Sequence, residues 1–124
     1  MMAFLLDTCV LIDLSRGNDA ATRAVARLAD IPRVCVVSIM ELYAGVRSQR
    51  EEVAIDAMLG TFRSVPVEPE VYRGAGSLLR NFRASHSLEI GDALIAATAE
   101  HHGLKLVTLN VKHFPMFKRL KRAY

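Results

Sequence analysis

The chain has 124 residues, 52% hydrophobic and 23% charged, with a formal net charge of +3: enough apolar side chain for one core, enough charge to cover it, and the usual size of a single domain. No apolar run approaches the ~18 residues of a membrane span, and "MMAFLLD" lacks the basic region, long apolar stretch and cleavage site of a secretory signal, so the expectation is a soluble, cytoplasmic protein. Cys9 and Cys35, the only cysteines, fit neither a disulfide framework nor a zinc-ligand spacing and read as reduced, buried thiols.

Taken in chain order, Ala3 to Leu6 are apolar without alternation, as in a strand covered on both faces. Asn18 can cap a helix over Asp19 to Ala29. Val34 to Val37, in "RVCVVS", repeat the buried-strand pattern. Val53, Ala54, Ala57, Met58 and Phe62 recur at helical spacing. Ser64 to Val67, "SVPV", make a third strand whose Pro66 suits a sheet edge. Val71, Tyr72, Ala75, Leu78, Leu79 and Phe82 again recur at helical spacing, with Arg73, Arg80 and Arg83 turned away; this face is read as core, with a partner surface as the alternative. A last helix runs from Leu88 to His102 and is stopped by Gly103. Leu104 to Leu109, "LKLVTL", form the fourth strand. Beyond it Lys112, Lys118, Arg119, Lys121 and Arg122 make a basic tail, either a solvated terminus or a surface for a polyanion. Strands alternating with helices predict an α/β domain with a mostly parallel sheet and right-handed crossovers.

In such a sheet the strand C-termini and helix N-termini share one edge, where ligands of open α/β sheets bind. Asp7 ends the first strand. Glu41 falls in the first turn of the helix after the second strand, in "SIMEL". Asp92 lies near the start of the last helix but beyond its first turn, and Asn110 just past the last strand. Two of these have local explanations. Ser38 and Glu41 match a capping box, and Asp7 can cap a helix beginning at Thr8 for about 1 kcal/mol. Asp92 is harder to explain locally, because its helix is apolar nearly all round and no Lys or Arg is close in sequence; the anion is destabilised unless a cation is near. Three carboxylates on one edge repel one another, and a hard divalent ion with oxygen ligands, Mg²⁺ above all, is the economical partner. His86, His101, His102 and His113 show no ligand spacing and are read as surface or helix-end residues, the adjacent pair pointing to different sides. Asp13 is read as facing solvent or pairing with Arg16.

The segments "LLDTCVLIDL", "SIMELYAG" (Ser38 to Gly45) and "IGDALIAATAEHHGLKLVTLNVKHF" (Ile90 to Phe114), in this order and spacing, resemble the PIN-domain family, most closely the VapC-type ribonuclease toxins of type II toxin–antitoxin systems. The resemblance spans essentially the whole chain. It implies a single PIN domain over residues 1–124, a three-layer α/β/α arrangement, RNA cleavage with Mg²⁺ or Mn²⁺, silencing by a small VapB-like antitoxin, and a homodimer. Carried over by motif, Asp7, Glu41 and Asp92 are the first, second and third acids, Asp7 and Asp92 holding the principal ion and Glu41 joining directly or through water. Thr108, with Thr8 and Lys112, is implied beside the substrate phosphate. Asn110 stands where many relatives carry a fourth acid, so a second metal position is weakened, and Cys9 stands where Asn is common. Two rivals remain at this stage: a PIN nuclease of RNA maturation or DNA ends outside a toxin–antitoxin system, and a non-catalytic RNA- or protein-binding module. A receiver-type signalling domain fits worse, since "SVPVEPE" does not supply its phosphorylatable aspartate.

Overall fold

A computed structural model describes residues 2–124. The elements run β1 (Ala3–Leu6), α1 (Thr8–Ser15), α2 (Asp19–Ala26), β2 (Arg33–Cys35), α3 (Val36–Ala44), α4 (Gln49–Leu59), β3 (Arg63–Val65), α5 (Pro69–His86), α6 (Ile90–His102) and β4 (Leu104–Val107), followed by a 3-10 turn at Val111–His113. The four strands pair in parallel in the order β3-β2-β1-β4. Successive strand residues face opposite sides of a sheet, and both faces are covered. Leu5, Cys35 and Leu106 pack on one side with Ile95, Ala96 and Ala99 of α6 and with Phe114. Leu6, Val34 and Val107 pack on the other with Val10 and Leu11 of α1, Leu42 of α3 and Ile55 of α4. This is the expected three-layer architecture, and it explains why β1 reads as an uninterrupted apolar run. A further cluster joins Val71 and Ala75 of α5 to Ala93 and Ala97 of α6, with Leu88 from the connection between them. The Val71 face is therefore core, although Tyr72 stays exposed.

Several boundaries differ from the sequence expectation. The second strand stops at Cys35 and α3 begins at Val36 with no intervening loop, because one short apolar run supplied both a buried strand and the first turn of a helix, which periodicity cannot separate. The third strand ends before Pro66, which has no N–H to offer the ladder, and it does lie at a sheet edge. Helix α2 follows Asn18 as expected, the side-chain oxygen accepting from Ala21 N at 2.9 Å, but ends at Ala26 rather than Ala29. On α4 the buried residue is Ile55, while Val53, Ala54 and Ala57 face outward. Helix α6 starts at Ile90 and is ended by Gly103, whose φ of 63° is the left-handed conformation glycine adopts freely. The fourth strand ends at Val107, not Leu109.

The basic tail is more than a solvated terminus. Phe114 is fully buried, and Met116, Phe117 and Leu120 pack on the same core, while Lys112, Lys118, Arg119, Lys121 and Arg122 all point outward. Ala123 N donates to Thr108 O at 2.9 Å, and the Tyr124 hydroxyl donates to Asp13 Oδ2 at 2.7 Å. Asp13 therefore neither faces free solvent nor pairs with Arg16. Of the two thiols, Cys35 is buried and Cys9 only half-buried, both free. No helix among the described residues is long and apolar enough to cross a membrane.

Candidate active site

β1 lies inside the sheet, so the residue that follows it reaches the middle of the carboxyl edge. That residue is Asp7, 4% exposed. Its backbone N–H extends the pairing to Val107 O at 2.9 Å. Its carboxylate caps α1 and serves the edge at once. Oδ1 accepts from Thr8 N at 2.8 Å, whereas Oδ2 accepts the Thr108 hydroxyl at 2.6 Å and the Cys9 thiol at 3.3 Å. Capping and a site role are thus compatible, because a carboxylate has lone pairs for both. Burial, then the charge of Asp7, pushes the Cys9 thiol up from its ordinary value, so it stays neutral and donates.

Glu41 comes from the second turn of α3, not the first. The expected capping box does not form: the cap position is Cys35, without a side-chain cap bond, and Ser38 is buried inside the helix. The Thr8 hydroxyl lies 2.8 Å from Ser38 Oγ and 2.9 Å from Glu41 Oε1. It carries one proton, and the carboxylate can only accept, so Thr8 donates to Glu41 while Ser38 donates to Thr8. Thr8, expected beside a phosphate, holds Glu41. The start of α6 closes on the same carboxylate: a Cβ added at Gly91 would sit 3.6 Å from Glu41 Oε1.

Asp92 is in the first turn of α6, because that helix starts later than expected, at Ile90. The helix N-terminus favours an anion there. Nevertheless its carboxyl is pushed up to about 6, first by burial; the His113 charge opposes this, and the charges of Asp7, Glu89 and Glu41 add to it. Its ion-pair neighbour is the His113 imidazole, whose Nδ1 lies 3.3 Å from Asp92 Oδ2. The reading of the histidines as surface or helix-end residues did not include this contact. The one local signal was position, since His113 follows Asn110 by a single turn at the end of the last strand.

Thr108, fully buried, binds Asp7 and accepts from Asn110 N at 3.0 Å. Its hydroxyl is accordingly directed at the acid. Asn110 precedes the 3-10 turn and Lys112 lies within it, both exposed at the rim. Asp7, Glu41, Asp92, Thr8, Thr108 and Asn110 therefore do gather at one edge, from four separate places in the chain. They gather loosely. Among the described residues the trio whose ligand atoms all lie within 4.8 Å of one another is Glu68, His101 and His102, at the far end of α6, and the three acids are set wider.

The PIN domain family profile matches residues 4–122. Ribonuclease VapC10 of Mycobacterium tuberculosis is 45% identical over 97% of this chain and 92% of its own length. Ribonuclease VapC19 of the same organism is 37% identical over 97% of this chain and 98% of its own. Among solved structures, a toxin–antitoxin complex from Klebsiella pneumoniae superposes with a TM-score of 0.84 at 28% identity, over 98% of both chains. DNA-bound VapBC from Salmonella typhimurium shares the fold, with a TM-score of 0.80 at 19% identity over the whole of both chains. The chain belongs to the PIN-domain family, in its VapC group.

Proposed function

We propose that this chain is an endoribonuclease that hydrolyses RNA phosphodiester bonds, uses Mg²⁺ or Mn²⁺, and acts as the toxin of a type II toxin–antitoxin pair held silent by a VapB-like antitoxin. The observation that carries the reading is the meeting of Asp7, Glu41 and Asp92 at the carboxyl edge of the sheet. The relatives named ribonuclease support the reaction, and those solved as toxin–antitoxin or VapBC complexes support the partner.

The residues present fit a hard divalent ion. Every donor among the three acids is oxygen, none of the three has a Lys or Arg partner within ion-pair distance among the described residues, and the burial and neighbouring acids that raise the Asp92 carboxyl are a penalty a bound cation would relieve. Asp7 and Asp92 would hold the ion, Glu41 directly or through water. When bound, such an ion neutralises charge developing on a phosphodiester and acidifies water for in-line attack. Thr108 fixes Asp7 and Thr8 fixes Glu41, so neither carboxylate has to be ordered when substrate arrives. Asn110 adds a neutral carbonyl at the rim, and Lys112 an exposed cation for the RNA backbone. A homodimer, as in the family pattern, completes the reading.

Incubating the purified protein with total RNA in Mn²⁺ or in chelator, and mapping the cut ends, tests it. Cleavage is expected only with metal, and Asp7→Asn or Asp92→Asn is expected to lower the rate by about a hundredfold or more with the circular dichroism spectrum unchanged. Full cleavage in chelator, or in both variants, would overturn the assignment.

A further inference from the structure

We propose that Glu68, His101 and His102 form a second metal site, one for a zinc-like ion, at the end of the domain opposite the acids. Glu68 stands at the N-terminal cap position of α5 with its side chain free of any cap bond, and the two histidines close α6, so the site joins the ends of two helices that already share a buried cluster. His102 Nε2 lies 3.0 Å from Glu68 Oε1. The two imidazole rings meet edge to face with centroids 4.8 Å apart, and one ligand atom from each of the three residues lies within 4.8 Å of the others.

Bonds of about 2.0–2.2 Å in a tetrahedral site put ligand atoms about 3.3 Å apart. His102 and Glu68 already stand at about this spacing, at 3.0 Å, and the side chains are free enough to adjust around an ion, that of Glu68 being 41% exposed and that of His102 28%. Two imidazoles and one carboxylate form a borderline donor set that suits zinc, nickel or copper, whereas magnesium selects oxygen. Three protein ligands leave a position for water. The surroundings are favourable to a cation: the C-terminal end of α6 carries the negative pole of its helix dipole, and Glu70 and Glu100 line the shallow cavity beside His101. At 1.5 Å per residue, the run of α6 from Asp92 to His102 separates this cluster from the acidic edge by about 15 Å. The two sites therefore need not compete for one ion.

Adjacent histidines gave no ligand pattern in the sequence because residues i and i+1 of a regular helix diverge. Here they are the last two residues of the helix, where the third ligand arrives from the beginning of another.

Equilibrium dialysis against Zn²⁺ in the presence of excess Mg²⁺, which fills the oxygen site, provides the test, with the visible absorption of Co²⁺ reporting a low-coordinate nitrogen-containing site. One tightly held Zn²⁺ is expected, raising Tm by about 5 °C or more. Affinity is expected to fall at least tenfold in His102→Ala and in His101→Ala, and several-fold in Glu68→Gln, yet to persist in Asp7→Asn. RNA cleavage in Mg²⁺ should be unaltered by the histidine substitutions. Retention of Zn²⁺ by both histidine variants, its loss in Asp7→Asn, or no retention at all against Mg²⁺ would overturn the proposal.

Discussion

Asp92 shows how one residue can be locally favoured and still strained. A first-turn aspartate gains from the helix dipole, yet burial and three neighbouring acids push its carboxyl up to about 6. Because the folded value lies above the ordinary one, Asp92 contributes stability below the usual carboxylate range, near pH 3.8, and loses it as pH rises through about 6. In chelator, Asp92→Asn should therefore raise Tm at pH 7.5 by about 3 °C and flatten the pH dependence of Tm between these values, a change read directly by thermal scans. Saturating Mg²⁺ should narrow the difference, since the ion stabilises the protein that keeps all three acids more than the variant. Thr8 makes a complementary prediction. Its hydroxyl is the fixed support of Glu41, and Thr8→Val keeps the volume but removes the donor. Metal-dependent cleavage should fall about tenfold to a hundredfold, the usual effect of losing a group that orients a ligand, and Tm should fall by a few degrees because buried Ser38 loses its partner.

Among the elements, the segment after β4 is the least expected. Charge alone describes it as a basic tail, but its apolar residues close the core and its last two residues clasp the edge. Ala123 N holds the carbonyl of Thr108, the residue that donates to Asp7, and Tyr124 reaches Asp13 on α1. Burial and the Asp13 carboxylate raise the Tyr124 phenol above its ordinary value, so it remains a donor throughout the working pH range. Tyr124→Phe is expected to lower stability by about 0.5–1.5 kcal/mol in urea unfolding, the net worth of one hydrogen bond. Removing residues 123 and 124 should go further and reduce cleavage several-fold, because Thr108 then loses a restraint. Helix α3 shows a different principle. Its start, two residues ahead of the apparent capping box, turns Ser38 from a cap into a buried partner of Thr8 and delivers Glu41 from the second turn.

Across the whole molecule the chemistry is divided by the sheet. The carboxyl edge gathers the acids, with Lys112 exposed at its rim, while Lys118 and Arg119 of the tail lie along β4 beside Leu104 and Leu106, and together these cations attract a polyanion. RNA affinity should accordingly fall steeply as salt rises, the slope on a logarithmic plot reporting the number of phosphates neutralised. Neutralising Lys118, Arg119, Lys121 and Arg122 together should weaken binding across RNA sequences and flatten that slope, without changing the metal requirement.

The sequence by itself determined the α/β class, the four strands, the capped second helix, the core face of α5 and the glycine stop of α6, because each rests on the periodicity or capping of a few neighbouring residues. It also placed Asp7, Glu41 and Asp92 at one edge, since strand-end and helix-start positions in a parallel sheet converge whatever the loops do. Only the tertiary structure decided which partners those acids have. The pairings of His113 with Asp92, Thr8 with Glu41, Tyr124 with Asp13 and His102 with Glu68 join separate elements. They depend on how whole layers seat against one another, and no local pattern of residues records that distance.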